Sequence, residues 1–312
     1  MFLFSQFRLN IMLIFAFFVI SLYVGSIVFI RIRNKDRLGF KRQMSDFSTF
    51  MVPMNIPIYL LSKIPLTPFV ERKHFPELDI LQDHWEEIKD EALALYESGH
   101  IAIKNDLPAS SFYKDNRWTS FYLKVYDCDI PSARELAPKT MELIEQVPGM
   151  NLALFACLNP GKRIGKHHDP FALSLRYSLG LSTPNSEDCA ISVDGQWHTW
   201  SDGESIIFDE TYAHHTHNDS DKPRIILMSD IDRPLRSKLI QKMYYYFAKT
   251  FNSLFFVDNI DSTKTGLGNK ITPIHKSYRT NMKKFKNWNK PLYVTFKFCA
   301  LGGVLFIFYN AF

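Results

Sequence analysis

From Leu152 to Ile231 the chain is divided into short apolar runs separated by turn residues. Leu152–Leu158, Ser174–Leu181, Ala190–Val193, Ser205–Phe208 and Arg224–Ile231 each read as a strand. Asp194-Gly195 predicts a hairpin between two runs, and Asp202-Gly203 predicts a second turn. Strands and turns this closely spaced predict a β-sandwich or barrel-like core. Phe121–Tyr126 adds an earlier strand.

The helical signals come before that core. Leu78, Leu81, Trp85, Ile88, Ala92 and Leu95 recur every three or four residues and stop before Gly99. That spacing predicts an amphipathic helix whose apolar stripe faces the core. Pro138 suits the first position of a short helix running to Gln146, closed by Pro148-Gly149. The fold class is therefore mainly β with flanking helices.

Leu9–Ile30 carries no charge. About 20 such residues cross a bilayer core. The run is too long for a cleaved signal peptide and no Ala-x-Ala site follows it. Arg8 precedes it; Arg31, Arg33, Lys35, Arg37, Lys41 and Arg42 follow, against Asp36 alone. By the positive-inside rule, the carboxyl-terminal side is cytoplasmic. Pro53–Val70 is apolar and rich in proline, so it is not expected to be a spanning helix. It is either an irregular segment at the membrane surface or a lead-in covering one side of the β domain. Arg236–Val257 mixes Lys and Arg with Tyr and Phe, which predicts a membrane-surface helix, with packing on the β core as the other reading. Lys264–Lys290 reads as an exposed basic connector near anionic lipid. Leu292–Phe312 is apolar except for Lys297 and predicts a second spanning helix. The Lys283, Lys284, Lys286 and Lys290 cluster before it again points to the cytoplasm. The expected organisation is a transmembrane helix at 9–30, a juxtamembrane segment at 31–74 and a β-rich domain at 75–235. A basic aromatic helix and connector follow at 236–290, then a second span at 292–312.

The formal charge of +5 is mild. The basic residues lie beside apolar runs, not across one soluble face, which argues against nucleic acid. Cys128, Cys157, Cys189 and Cys299 have neither metal nor disulfide spacing, in keeping with a reducing compartment. Cys157 and Cys189 lie in strand-like runs and are expected to be buried thiols.

His167 and Asp169 sit two apart, on one side of an extended chain, with His168 facing elsewhere. His214 closes the set. Two imidazoles and a carboxylate are what a mononuclear non-haem Fe(II) site needs, with open positions for substrate and oxygen. An isolated His-x-Asp is more often a solvated turn; the strand-like context of His214 and Arg224 shifts the balance here. Arg224, at the start of a strand, can pair bidentately with a carboxylate. Arg176 shares a polar strand face with Ser174 and Ser178, so it either lines a site or is an exposed strand charge. Spacing does not choose among His214, His215 and His217.

The residues quoted next resemble a known family. Asn159-Pro160-Gly161, Lys166-His167-His168-Asp169-Pro170, Ser174–Leu181, Trp200–Glu204, Phe208–His214 and Arg224–Pro234 are similar in order and spacing to the aspartyl/asparaginyl β-hydroxylase family. Its bacterial membrane branch includes lipid A 2-hydroxylases. The resemblance implies a double-stranded β-helix (jelly-roll) and an Fe(II)/2-oxoglutarate dioxygenase that consumes O2, with ascorbate as a candidate reductant. It implies His167, Asp169 and His214 as metal ligands, the Phe-Asp-x4-His pattern selecting His214. It implies Arg224 for the distal carboxylate of 2-oxoglutarate, with Arg176 and Ser178 nearby; the family often carries His where Ser178 stands. The animal peptide hydroxylases have Gly where this chain has Asp169, so the chain sides with the lipid-modifying branch. The implied substrate is a membrane lipid, a lipid A precursor hydroxylated at C2 of a secondary acyl chain, at the bacterial inner membrane with the catalytic domain in the cytoplasm. A peptidyl aspartyl/asparaginyl hydroxylase and a non-catalytic membrane interaction protein are the alternatives.

Overall fold

The computed structural model describes residues 2–101, 118–128, 130–253, 259, 277 and 280–293. Helix α1 (Phe2–Arg33) leads, followed by α2 (Phe40–Ser45), α3 (Phe47–Leu61) and strand β1 (Phe69–Val70). Helices α4 (Asp79–Asp83) and α5 (Trp85–Glu97) come next, then β2 (Trp118–Val125), α6 (Pro131–Leu136) and α7 (Pro138–Glu145). The remaining strands are β3 (Met150–Leu158), β4 (Lys162–His167), β5 (Ser174–Ser182), β6 (Cys189–Val193), β7 (Gln196–Thr199), β8 (Ser205–Phe208), β9 (His214–Asn218) and β10 (Arg224–Asp232). Helix α8 (Lys238–Ser253) follows them.

The strands form two antiparallel sheets, a six-stranded one in the order β1-β8-β5-β10-β3-β2 and a four-stranded one in the order β4-β9-β6-β7. This is the sandwich-type core that the strand spacing predicts, in the jelly-roll class that the resemblance implies. Period-2 alternation divides the larger sheet into two faces. Ala153, Phe155 and Cys157 of β3, Leu175, Tyr177 and Leu179 of β5, and Ile225 and Leu227 of β10 bury against Leu81, Ile88 and Leu95 of the helical layer. Leu154, Ala156 and Ile226, on the opposite face, meet Cys189, Ile191 and Val193 of β6 between the sheets. The same alternation directs Arg176, Ser178, Arg224 and Asp230 into the space between the sheets. The Asp194-Gly195 hairpin forms as expected, both residues having positive φ (51° and 81°), the type I′ requirement.

Three expectations change. The stripe from Leu78 to Leu95 spans two helices, broken at His84, though Leu81 and Ile88 on either side still bury together. Pro53–Val70 is not irregular at its start. Pro53 and Pro57 lie inside α3, where each removes a helix hydrogen bond. Tertiary packing outweighs that loss: Ile58 is buried with Ala172, Leu173 and Leu235, and α3 packs along α1 through the Tyr23–Phe50 and Phe29–Tyr59 ring stacks. Lastly, β1 extends the larger sheet from before residue 75.

Leu13–Arg33 within α1 is long and apolar enough to cross a membrane. Its side chains from Leu13 to Ile20 project away from the protein, whereas Ser26, Ile27 and Ile30 are buried. Helix α8 does two things at once. Ile240, Tyr244 and Ala248 pack inward, while Leu239, Met243 and Tyr246 are exposed. The expected second span falls almost wholly at 294–312, outside the described residues, as does most of the basic connector. Cys157 and Cys189 are buried free thiols, and Cys299 lies outside the described residues.

Candidate metal centre

Strand β4 runs beside β9, and their register brings His167 opposite His214. A register shift between Ile164 and His167 inserts one extra residue into β4. Such a bulge re-aims the side chain that follows it; here it turns His167 toward its partner. Burial along β9 alternates, with His214, Thr216 and Asn218 inward. His215 and His217 face outward against Trp197, at ring distances of 5.2 and 5.4 Å. The strand pleat thus separates His214 from its two neighbours on purely geometric grounds.

The ligand atoms of His167, Asp169 and His214 all lie within 4.8 Å of one another. His167 Nδ1 is 2.9 Å from the Gly165 carbonyl, and His214 Nδ1 is 2.9 Å from the Tyr212 carbonyl. With Nδ1 donating to a carbonyl, each Nε2 keeps its lone pair for a metal. Burial beside His167 pushes the His214 imidazole down to about 3, so it is neutral and able to ligate at physiological pH. Burial works against the Asp169 charge, but His167, His214 and Arg176 hold its carboxyl below the ordinary range. This donor set suits a divalent transition metal of the iron type.

Arg176 does not stand free in the site. Its Nε lies 2.5 Å from Asp230 and its terminal nitrogen 3.4 Å from Asp169, and it also meets Glu210. Burial, with Asp230 and Asp169 nearby, raises the Glu210 carboxyl well above the usual range. Arg176 bridges Asp169 and Glu210, which braces the carboxylate ligand. Ser178 is buried one inward position along β5, beside Met228 and Ile206 in register.

Arg224 has a different environment. It is buried, stacks over the Trp200 ring at 4.8 Å, and donates to Thr216 Oγ1 at 3.2 Å. Its Nε has no hydrogen-bond partner, and Arg224 forms no ion pair among the described residues. Thr216 is the next inward residue after His214, so Arg224 bonds the same wall that carries that ligand. A buried guanidinium with no anion among the described residues is chemically suited to a carboxylate.

Residues 82–234 match the family model described as aspartyl/asparaginyl beta-hydroxylase. This stretch, just under half of the chain, is similar to that family. Over 124 residues it is 36% identical to the ornithine lipid ester-linked acyl 2-hydroxylase of Rhizobium tropici, covering 39% of this chain and 44% of that protein. It is 28% identical over 190 residues to human aspartate beta-hydroxylase domain-containing protein 2, covering 57% of this chain and 50% of that one. The chain thus spans half or less of the length of these relatives. Among solved structures, a Pseudomonas putida prolyl-4-hydroxylase aligns with 49% of this chain and 88% of its own at 14% identity and a TM-score of 0.33.

The fold also brings in residues outside the metal-donor set. Asp209 is fully buried between Arg33 of α1 and Arg233, 2.7 Å from each. Asn34 accepts from the Ala213 amide at 3.0 Å. Asn55 of α3 donates to the Pro170 carbonyl at 2.8 Å and accepts from the Ala172 amide at 3.0 Å. Arg33, grouped by sequence with the topology-setting basic residues, is thus an ion-pair partner of the β domain. His168, facing away from the donor set, is buried with Nδ1 3.0 Å from the Thr211 carbonyl. Asp209 was legible as the Asp of the Phe-Asp-x4-His pattern and Asp230 as a residue sharing an inward face with Arg224 in a strand of period two; Asn34 and Asn55 carried no signal.

Proposed function

We propose that the protein is a membrane-anchored Fe(II)- and 2-oxoglutarate-dependent dioxygenase that hydroxylates the acyl chain of a membrane lipid. One observation carries the reading: His167, Asp169 and His214 converge within 4.8 Å, beside a buried Arg224 that lacks an anionic partner among the described residues. When bound, iron with 2-oxoglutarate supplies the activation of O2 needed to insert oxygen into a C–H bond. His167 and His214 present Nε2 because carbonyls occupy Nδ1. Arg176 keeps Asp169 charged, and the Glu210 carbonyl, accepting from the Asp169 amide, orients it. Arg224 holds the distal carboxylate of the cosubstrate bidentately, backed by Trp200. Ser178 lines the same cleft.

The substrate reading rests on two supports. The relative from Rhizobium tropici is named as an acyl 2-hydroxylase of a lipid. The apolar α1 and the exposed apolar residues of α8 suit a domain held at a bilayer. Within that class we favour a lipid A precursor hydroxylated at C2 of a secondary acyl chain, at the bacterial inner membrane with the domain in the cytoplasm. Reporter fusions after Arg42 and before Lys283 test the orientation: both should report cytoplasm, and a periplasmic signal from either refutes it.

Mass spectrometry of lipids from cells expressing the chain or its Asp169→Ala variant tests the function. The parent should add one oxygen to a lipid A acyl fragment and the variant should not. A gain confined to an ornithine lipid acyl chain would move the substrate within the lipid class. Unchanged acyl fragments alongside new hydroxy-Asp or hydroxy-Asn in a membrane protein would replace the lipid reading with a peptide one.

A further inference from the structure

Three ligands come from two loops, Asp169 with the end of β4 and the 209–213 segment before β9. Both loops are held from outside the β domain by the helical segment that leads into it. Asn34, directly after α1, accepts from the amide of Ala213, the residue before His214. Its own side-chain nitrogen donates to the Ile30 carbonyl at 3.0 Å, so its orientation is set by the last turn of α1. Arg33 pairs with Asp209, which in turn accepts from the Thr211 amide at 3.0 Å within the same loop. On the other side, Asn55 of α3 brackets Phe171, bonding the backbone of Pro170 and Ala172 just after Asp169. Asn34 and Asn55 are each buried, and Asn55 has both halves of its amide matched to backbone groups.

Backbone groups of a loop are free to bond water when nothing else orders them, so a buried amide that bonds them on both sides removes that freedom. From this geometry we infer that Asn34 and Asn55, with Arg33, are positioning residues for the metal centre. The ladder pairs His167 with His214, and the seating of α1 and α3 on the β domain fixes the loops around them, including the one that follows Asp169. The membrane-proximal helices are then part of the site's construction as well as an anchor. This inference rests on the reading of His167, Asp169 and His214 as metal ligands.

The test uses the full chain in lipid nanodiscs with Co(II) as the probe, read by its visible ligand-field absorption. Asn34→Leu and Asn55→Leu should each weaken Co(II) binding by about tenfold, the order expected for a lost buried hydrogen bond, and alter the band shape. Gln43→Ala is the control, because Gln43 bonds Thr49 at 2.5 Å in the turn between α2 and α3 and touches neither ligand loop. It should lower the thermal midpoint and leave Co(II) affinity and spectrum unchanged. Should Asn55→Leu fail to fold, the smaller Asn55→Ala removes both bonds without adding bulk and should weaken binding by a similar factor. Parent-like Co(II) affinity in the folded Asn34 and Asn55 variants overturns the inference and leaves the metal centre standing. So does an equal loss in Gln43→Ala, which would make the effect one of general stability. Absence of Co(II) binding by the parent chain overturns the metal centre and this inference together.

Discussion

His167 and His214 face each other in register across the β4–β9 ladder, their ring centroids 4.2 Å apart. Directly opposite residues on one face of an antiparallel pair hold their Cβ atoms about 4.5–5.5 Å apart. The ladder itself therefore sets the ligand spacing, and Asp169 completes the set just beyond the strand end. Its amide donates to the Glu210 carbonyl at 2.8 Å, which ties the two ligand loops together.

His167→Ala, Asp169→Ala and His214→Ala should each abolish metal binding and hydroxylation, because each removes one of three donors. His168→Ala should keep the metal and lose about 1–3 kcal/mol of stability, since it leaves a buried carbonyl unpaired. Co(II) titration and denaturant unfolding of the four variants check this. Loss of metal in His168→Ala with retention in His167→Ala would mean that the register of the site is misread.

Arg224→Lys should raise the requirement for 2-oxoglutarate. An ammonium cannot reproduce a planar bidentate pair, and hydrogen bonds to charged groups contribute about 1.5–3 kcal/mol. The apparent KM for 2-oxoglutarate measures it; an unchanged value removes Arg224 from cosubstrate binding.

Gly180→Ala should destabilise the fold severely. A Cβ built there lies 2.0 Å from the Ser201 carbonyl oxygen, which is backbone and cannot swing away. Gly180 also exchanges backbone hydrogen bonds of 2.9 and 2.8 Å with Glu204 and Gly203. Overpacking of this kind costs about 1–3 kcal/mol or more. A variant with the parent's thermal midpoint would refute the close approach.

Asp232 gives the pH dependence a sign. Burial pushes its carboxyl from the ordinary 3.8 up to about 6, against hydrogen bonds from Asn151 and Gln241. The folded state therefore holds this proton more tightly than the unfolded chain does. Unfolding free energy from this group falls as pH rises from about 4 to about 6 and stays lower above that. Asp232→Asn keeps an acceptor for Asn151 and should remove that fall, raising stability at pH 7 by roughly 1–3 kcal/mol. Denaturant midpoints at pH 4.5 and pH 7 for both proteins test it; an identical pH slope would exclude Asp232 as its source.

The core strands were legible in the sequence because their two faces are both apolar or nearly so, one against the helices and one between the sheets. Leu152–Leu158 and Arg224–Ile231 needed only small adjustments at their ends. The chain's own residue types also carried the His-x-Asp pair, the distal His and the Arg. Strands β4 and β9, Lys-Arg-Ile-Gly-Lys-His and His-His-Thr-His-Asn, were invisible for the opposite reason. They line a polar cleft on one face and reach the surface on the other, so no apolar alternation marks them. Tertiary structure alone decided the rest. It formed the bulge that turns His167 inward, seated α3 despite two prolines, and occupied Arg176 with three carboxylates while leaving Arg224 without one among the described residues. It also joined Arg33 and Asn34 to the loop before His214. Each of these depends on what a distant segment places opposite a residue, and short-range composition holds no record of that partner.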